Sequence, residues 1–418
     1  MNMQQLETPV IIVGAGPAGV ATSIYLSLAG IAHIIIDKET FPRDKVCGDG
    51  ISGKSAHVLR KANPAWLHEV YQQPDKFMPS SGIIFYAPNG KALNIPFGDN
   101  LIPGELAPGF TAQRLVFDHF LFQKIDKRYA AVYQSASIKS IERKDNTVNV
   151  VFTHDGNTYD ATAPVIVAAD GDKSLVRKTF RNDESSPKSY SVGLRAYYKN
   201  VSGLDSKNYI ELHFLPEVLP GYFWIFPLPN GMANVGIGLI SERIREKKIN
   251  LREQMLKAIE QNPTISHRFK NAELTGKIQG WGLPMGMQRQ SISGNNFILT
   301  GDAASLIDPF TGEGIGNALY SGMLAAEAII KGLSQKQFDA SFLKESYDDV
   351  LYKRLGGELR ISTTLHHLCK YPWLFNMVVN KAHKSPSLNN TISCMFTDMD
   401  LRDKLRKPSF YAKILLNK

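Results

Sequence analysis

Two glycine-rich loops, far apart in the chain, have the residue types and spacing to hold one redox cofactor. The first is Gly14-Ala15-Gly16-Pro17-Ala18-Gly19. Gly14 permits a tight turn, Gly16 lets the backbone approach a pyrophosphate, and Gly19 lets the following helix pack on the preceding strand. A helix starting there presents N–H groups and the positive end of its dipole to the phosphates. Asp37, with Lys38 beside it, falls where a ribose-binding carboxylate is expected. The second loop is Gly301-Asp302-Ala303-Ala304, followed by Pro309-Phe310-Thr311-Gly312-Glu313-Gly314-Ile315. Asp302 can accept hydrogen bonds from the hydroxyls of a ribityl chain. A helix opening near Gly312 to Ile315 would aim its N–H groups at whatever lies beyond that chain, and at a flavin ring edge this stabilises the reduced anion. The first loop does not separate FAD from NAD. The two in this order point to one FAD held at both ends. The competing reading is that the glycines serve turns only and that Asp302 caps one of them.

The elements that must position these loops are short. Val10 to Val13 is an apolar run that reads as a buried parallel strand. Val20 to Ala29 reads as a helix, and Ala32 to Ile36 as a second strand ending on Asp37. Pro164 to Ala169 is a strand leading into Asp170-Gly171-Asp172-Lys173-Ser174, where Ser174 is placed to cap a short helix through Phe180. Asn296 to Thr300 is strand-like and ends on Gly301-Asp302. Arg114 precedes a helix with Leu115, Phe117, Phe120, Leu121 and Ile125 on one face. Arg114 is either a solvated helix-start arginine or a cation beside the FAD phosphates or ribityl chain.

Two further stretches carry chemistry. Pro42-Arg43-Asp44-Lys45-Val46-Cys47-Gly48-Asp49-Gly50 sets a cysteine in a glycine-flanked loop with Arg43 and Lys45 close by. Neighbouring cations favour a thiolate. Cys47 is free to tune the flavin, to protonate a substrate carbon, or only to pack. Pro220-Gly221-Tyr222-Phe223-Trp224-Ile225-Phe226-Pro227 alternates so that Tyr222, Trp224 and Phe226 share one strand face. Three rings on one face suit an apolar cavity or a plain core. Asn234-Val235-Gly236-Ile237-Gly238 lacks a third glycine and a following helix, so it reads as a strand and not as a second nucleotide loop.

The first loop, Asp37, Arg114, Asp170-Gly171 and the second loop together resemble the flavoprotein group that includes para-hydroxybenzoate hydroxylase. The cysteine loop and the Tyr222–Pro227 stretch narrow the resemblance to the geranylgeranyl reductase family. It covers roughly the first four-fifths of the chain. It implies that Cys47, Gly48 and Gly50 lie near the flavin, that Tyr222, Trp224 and Phe226 line a substrate cavity, and that carbon–carbon double bonds of isoprenoid chains are saturated. The fold class expected is α/β: a Rossmann-like FAD-binding domain with an inserted mixed-sheet substrate domain and a helical C-terminal region. The FAD-binding domain takes residues 1–75, 108–185 and 275–335; the substrate domain takes 76–107 and 186–274; the helical region is 336–418. Strands are expected near Gly82–Ala87, Lys91–Phe97, Ser189–Lys199, Tyr209–Leu215, Gly221–Leu228 and Met232–Ile240, with one helix near Ser241–Gln261.

Composition fits an enzyme of this size. The chain has 418 residues, 43% of them hydrophobic, enough for a large core and two domains. Cys47, Cys369 and Cys394 give no even disulfide framework, His366-His367 has no partner cluster for a metal, and no apolar stretch is long enough to span a bilayer. Residues 1–9 are polar, so no signal peptide is expected and a reducing cytoplasm is the default. The net charge is +9, and residues 401–418 hold six Lys or Arg against Asp403 alone. That tail is either a frayed terminus or a peripheral contact with an anionic membrane. No segment resembles a nucleic-acid fold. Three functions remain open: an FAD-dependent reductase of a lipid-like double bond, an FAD-dependent monooxygenase of an aromatic or lipophilic substrate, and a non-catalytic FAD-bound electron-transfer partner. With no second nucleotide fold, the electron donor is either NAD(P)H docking transiently or a redox carrier protein.

Overall fold

The computed structural model describes residues 3–96, 109–181 and 186–385. Its centre is a six-stranded sheet in the order Ser293–Gly294, Phe297–Leu299, Ile166–Ala168, Ile11–Val13, His33–Ile36, Ala130–Tyr133. Every pairing but that of Ser293–Gly294 is parallel. Such strands are covered on both faces, and their unbroken Ile/Val runs follow from that. Helices Pro17–Leu28 and Ile315–Gln335 pack on each other over this sheet. The register sets Val13 beside Ala168 and Ala168 beside Leu299. The loops that follow these three strands, at Gly14, Ala169-Asp170-Gly171 and Thr300-Gly301-Asp302, therefore emerge side by side. In open α/β sheets, ligands bind outside these carboxyl ends.

A second sheet of seven strands runs Glu273–Pro284, Tyr190–Lys199, Met232–Ile240, Tyr222–Leu228, Ile210–His213, Gly82–Tyr86, Ala92–Pro96. One pair, Ile210–His213 with Gly82–Tyr86, is parallel and the rest are antiparallel, so the sheet is mixed. One face buries Phe223, Ile225, Val235 and Ile237 against Leu251, Met255 and Ala258 of helix Leu251–Gln261. The opposite face carries Trp224, Phe226 and Leu212. Two smaller sheets complete the fold. In one, Met3–Glu7 joins Asn157–Ala163, Thr147–His154 and Ser137–Lys144; in the other, Gly109–Thr111 lies between Gly50–Ile51 and Met78–Ser80.

Several elements differ from the expectation. The single helix over 241–261 is two helices, Ser241–Lys247 and Leu251–Gln261. Lys248 turns left-handed at φ 50°, and the Asn250 side chain accepts from Glu253 N to start the second helix. Leu115 is exposed, because it stands about 200° around helix Arg114–Phe122 from Phe117 and so off the face that Arg114, Phe117, Asp118 and Leu121 bury. Residues 275–284, grouped with the FAD-binding unit above, are part of an edge strand of the seven-stranded sheet. Their glycines at 276, 280 and 282 hid the strand. Ser174 does cap its helix, accepting from Arg177 N at 3.0 Å. The C-terminal part is helical over Ala340–Leu343, Lys344–Asp348 (a wide π turn), Asp349–Leu368 and Pro372–Lys384. Phe97, Cys394 and the basic tail lie outside the described residues.

Candidate active site

The two sheets face each other across a cavity of about 950 Å³, near the upper end of the roughly 300–1,000 Å³ typical of ligand sites. One end is built from the carboxyl-end loops of the parallel sheet. Gly14 has φ 99°, and a Cβ there would stand 2.3 Å from the Ala169 carbonyl oxygen. Only glycine fits that turn. Gly19 does not line the cavity; a Cβ on it would strike Gly14 O at 1.9 Å, so it seats the helix as its spacing predicts. Gly16, Pro17 and Ala18 line the wall at the helix start.

Asp37, Lys38, Arg43, Arg114, Asp170, Gly171, Asp302, Gly312, Gly314 and Ile315 line the same cavity. Pro309 does not; its carbonyl meets the His366 ring at 3.1 Å. Asp37 accepts from Ala15 N at 2.5 Å and Glu39 N at 2.8 Å, which ties the acid to the glycine loop. Asp302 pairs with Lys45 at 2.9 Å. Burial pushes the Asp170 carboxyl up, and its Oδ1 has no hydrogen-bond partner. A buried acceptor at a cavity wall, beside a Gly171 whose Cβ position is open space, fits a ligand that brings its own donors. The hydroxyl-rich FAD is such a ligand.

Arg114 is not a solvated arginine. It is 3% exposed and forks onto Asp118, with Nε at 2.6 Å and Nη2 at 2.7 Å. Arg43 adds a third contact to Asp118 at 2.7 Å. Burial opposes ionisation of Asp118, but the two guanidiniums outweigh it and hold the carboxyl below the usual range.

The other end of the cavity is the aromatic face. Tyr222, Trp224 and Phe226 line it together, as their alternation predicts, while Phe223 and Ile225 point into the core behind. The cysteine loop lies directly on this face. A Cβ on Gly48 or Gly50 would stand 3.2 or 3.3 Å from the Phe226 ring. Tyr222 donates to Thr311 O at 2.6 Å and so joins the aromatic strand to the second glycine loop. Cys47 lines the cavity, but its thiol is not activated. Burial pushes it up, and this outweighs the nearby Arg114 and Lys45, which favours the neutral thiol.

Sequence reading missed four groups. Asp49 is fully buried, with its carboxyl pushed up to about 6 by burial. Asn234 is fully buried beside it. Lys54 reaches Asn317 at 2.6 Å and Glu358 at 3.0 Å. Asp308 accepts from Thr311 N at 2.8 Å and from Ser362 at 2.6 Å. A charged or amide residue inside an otherwise apolar strand, as at Asn234, was the available signal. The described residues hold no cluster of metal ligands, and no helix among them is long and apolar enough to cross a membrane.

Residues 7–340 match the family described as FAD binding domain. The chain belongs to that family. A digeranylgeranylglycerophospholipid reductase of Methanococcus vannielii is 29% identical over 86% of this chain and 87% of that protein. A menaquinone reductase of Mycolicibacterium smegmatis is 30% identical over 77% of this chain and 76% of that protein. Among solved structures, a geranylgeranyl bacteriochlorophyll reductase-like protein from Thermoplasma acidophilum superposes with a TM-score of 0.77 at 23% identity, covering 96% of this chain and 99% of that one. The protein is an FAD-dependent oxidoreductase with geranylgeranyl reductase-like relatives, and FAD is its cofactor.

Proposed function

We propose that this enzyme saturates carbon–carbon double bonds in the isoprenoid or similarly apolar chain of a lipid. The observation that carries the reading is one continuous cavity with a glycine-loop end and an aromatic end, joined by the Cys47–Gly50 loop. Bound FAD would supply a hydride from its reduced ring. The chain's own residues do the rest. Gly14, Gly16, Pro17 and Ala18 would hold the pyrophosphate at the helix start that Gly19 seats, Asp37 and Lys38 would take the ribose end, and Asp170, Gly171 and Asp302 the middle. Gly312, Gly314 and Ile315 would hold the ring end of the cofactor. Arg43 and Arg114, two cations sharing the single carboxylate of Asp118, would leave a net positive charge on the cavity wall, and Pro309 shapes the second loop. Tyr222, Trp224 and Phe226 exclude water and hold the apolar chain. Cys47, kept protonated by its burial, is placed to give the second carbon its proton. The seven-stranded sheet forms the substrate domain and the parallel sheet the FAD-binding domain.

The names of the relatives, a digeranylgeranylglycerophospholipid reductase and a menaquinone reductase, support the substrate class. The donor that reduces the flavin, NAD(P)H or a carrier protein, would dock from outside. The test is anaerobic incubation of dithionite-reduced holoenzyme with a digeranylgeranylglycerophospholipid and with menaquinone. A mass gain of two hydrogens per double bond in either is expected. Products formed only with O₂ and carrying one added oxygen would favour a monooxygenase instead.

Peripheral membrane contact is part of the reading. The turn that exposes Leu368, Tyr371 and Trp373 would meet the bilayer, the six Lys or Arg of residues 401–418 would add attraction to anionic lipid, and no acidic residue falls between Glu358 and Asp398. Cosedimentation with phosphatidylglycerol vesicles that weakens at high salt is the expected result. Equal recovery with and without vesicles would refute it.

A further inference from the structure

Asn234 lies between the aromatic wall and the cysteine loop. Its Oδ1 accepts from Trp224 Nε1–H at 2.8 Å, and its Nδ2 donates to the Cys47 carbonyl at 2.7 Å and to Asp49 Oδ2 at 2.8 Å. These three contacts fix the direction of the amide. Reversed, it would set an NH₂ against the indole N–H and an oxygen against a carbonyl and a carboxylate. Asp49 is itself held by the Tyr197 hydroxyl at 2.8 Å and by Arg114 N at 3.3 Å.

The indole rests on backbone cleared of side chains. A Cβ on Gly236 would stand 2.2 Å from Trp224 Cζ2, while Cβ positions on Gly238 and Gly193 lie 3.7 and 3.8 Å from other atoms of the ring. The register makes this floor: Trp224 pairs with Gly236, and Gly193 with Gly238. Glycines inside a strand mark such a close approach. A bare floor sets the height of the ring but does not stop it turning in its own plane. The hydrogen bond at Nε1 does.

We infer that Asn234 is a positioning residue for the reduction: it locks the Trp224 ring to the Cys47–Gly48 backbone and so fixes the gap in which the reacting double bond lies. The inference rests on the functional reading above. Asn234 does not line the cavity; it acts through Trp224 and Cys47, and Asp49 keeps its amide oriented.

The test uses FAD-loaded, dithionite-reduced enzyme in anaerobic single turnovers with a digeranylgeranylglycerophospholipid. A misplacement of about 1 Å in a reacting group can cost on the order of a hundredfold. Asn234→Leu is therefore expected to slow flavin reoxidation by about tenfold or more, while the half-saturating lipid concentration moves by less than about threefold. Trp224→Phe keeps a ring and removes the same hydrogen bond, so it should fall similarly, and the double variant should lose little beyond either single one. A second readout is the pH profile. Asn234→Leu removes a donor to the ionised Asp49, so an acid limb set by that group should move to higher pH. The groups facing Asp49 from the neighbouring elements, Arg114, Arg195, Tyr197 and the Cys47 thiol, stay in place. If Asn234→Leu does not load FAD, Trp224→Phe carries the test. Additive losses, or a lower melting temperature with turnover within about twofold of wild type, would overturn the inference. Wild-type enzyme that leaves the lipid unchanged would overturn the functional reading, and this inference with it.

Discussion

Gly236→Ala and Gly238→Ala form a matched pair. Both residues sit on the strand Met232–Ile240, two apart and so on the same face, under the same indole. At Gly238 the nearest atoms to an added Cβ are Trp224 Cζ3 at 3.7 Å and Val192 O at 3.8 Å, which is ordinary contact. Alanine there fills space and restricts the unfolded chain, for a gain of about 0.4–1 kcal/mol. At Gly236 the added Cβ would meet Trp224 Cζ2 at 2.2 Å and Leu194 O at 2.3 Å. Contact begins near 3.4 Å, so both the ring and the neighbouring strand must retreat by about 1 Å. Overpacking of this kind costs about 1–3 kcal/mol, and more where backbone must move. The assay is thermal unfolding of both variants with and without FAD, followed by single-turnover reduction. Gly236→Ala should melt below wild type and turn over more slowly, and Gly238→Ala should melt at or above wild type with turnover intact. Equal behaviour of the two would refute the glycine floor.

Three other outcomes follow from the same geometry. The Asp49 carboxyl, pushed up to about 6 from 3.8 by burial, makes the folded state hold a proton that the unfolded chain releases. Wild-type stability relative to Asp49→Asn should therefore fall as pH rises from about 4 to 6, by at most about 3 kcal/mol, read by calorimetry at both ends; a flat difference would contradict it. Asp118→Asn strips the buried Arg114 of its charge partner and should cost about 3–5 kcal/mol in denaturant unfolding, where a loss under about 1 kcal/mol would refute the ion network. Alkylation of Cys47 by iodoacetamide should still accelerate with pH beyond the ordinary thiol range near 8.5; a plateau by neutral pH would mean the thiolate is present after all.

Much of the fold was legible because its signals are local. Apolar runs ending on glycine or acid marked the strands at Ile11–Val13, Ile166–Ala168 and Phe297–Leu299, and alternation marked Tyr222–Leu228 and Met232–Ile240. The strand Glu273–Pro284 was not legible, since it is largely exposed and glycine-rich and so shows no period-two apolar pattern. The backbone loops of the site could be read from their spacing, because glycine positions dictate backbone geometry directly. The polar interior could not. Asp49, Asn234 and Tyr197 meet across 148 and 185 residues of sequence, and nothing local marks such a pairing. Arg114 could be read either as a solvated helix-start arginine or as a cation beside the FAD, but not as one half of an ion pair, because its partner Asp118, one turn on, falls on a face that looks apolar. Sequence distance to Arg43 and Lys45 left the roles of Cys47 open, since it carries no information on the burial that pushes the thiol up.

The decisive experiment is a crystal structure of the FAD-loaded enzyme with a bound geranylgeranyl lipid. The dinucleotide is expected to span from the Gly14 loop to the Gly301–Gly314 loop, with its ring against Cys47–Gly50 and the lipid chain along Tyr222 and Trp224. A ring found away from the aromatic face, or a chain bound outside this cavity, would contradict it.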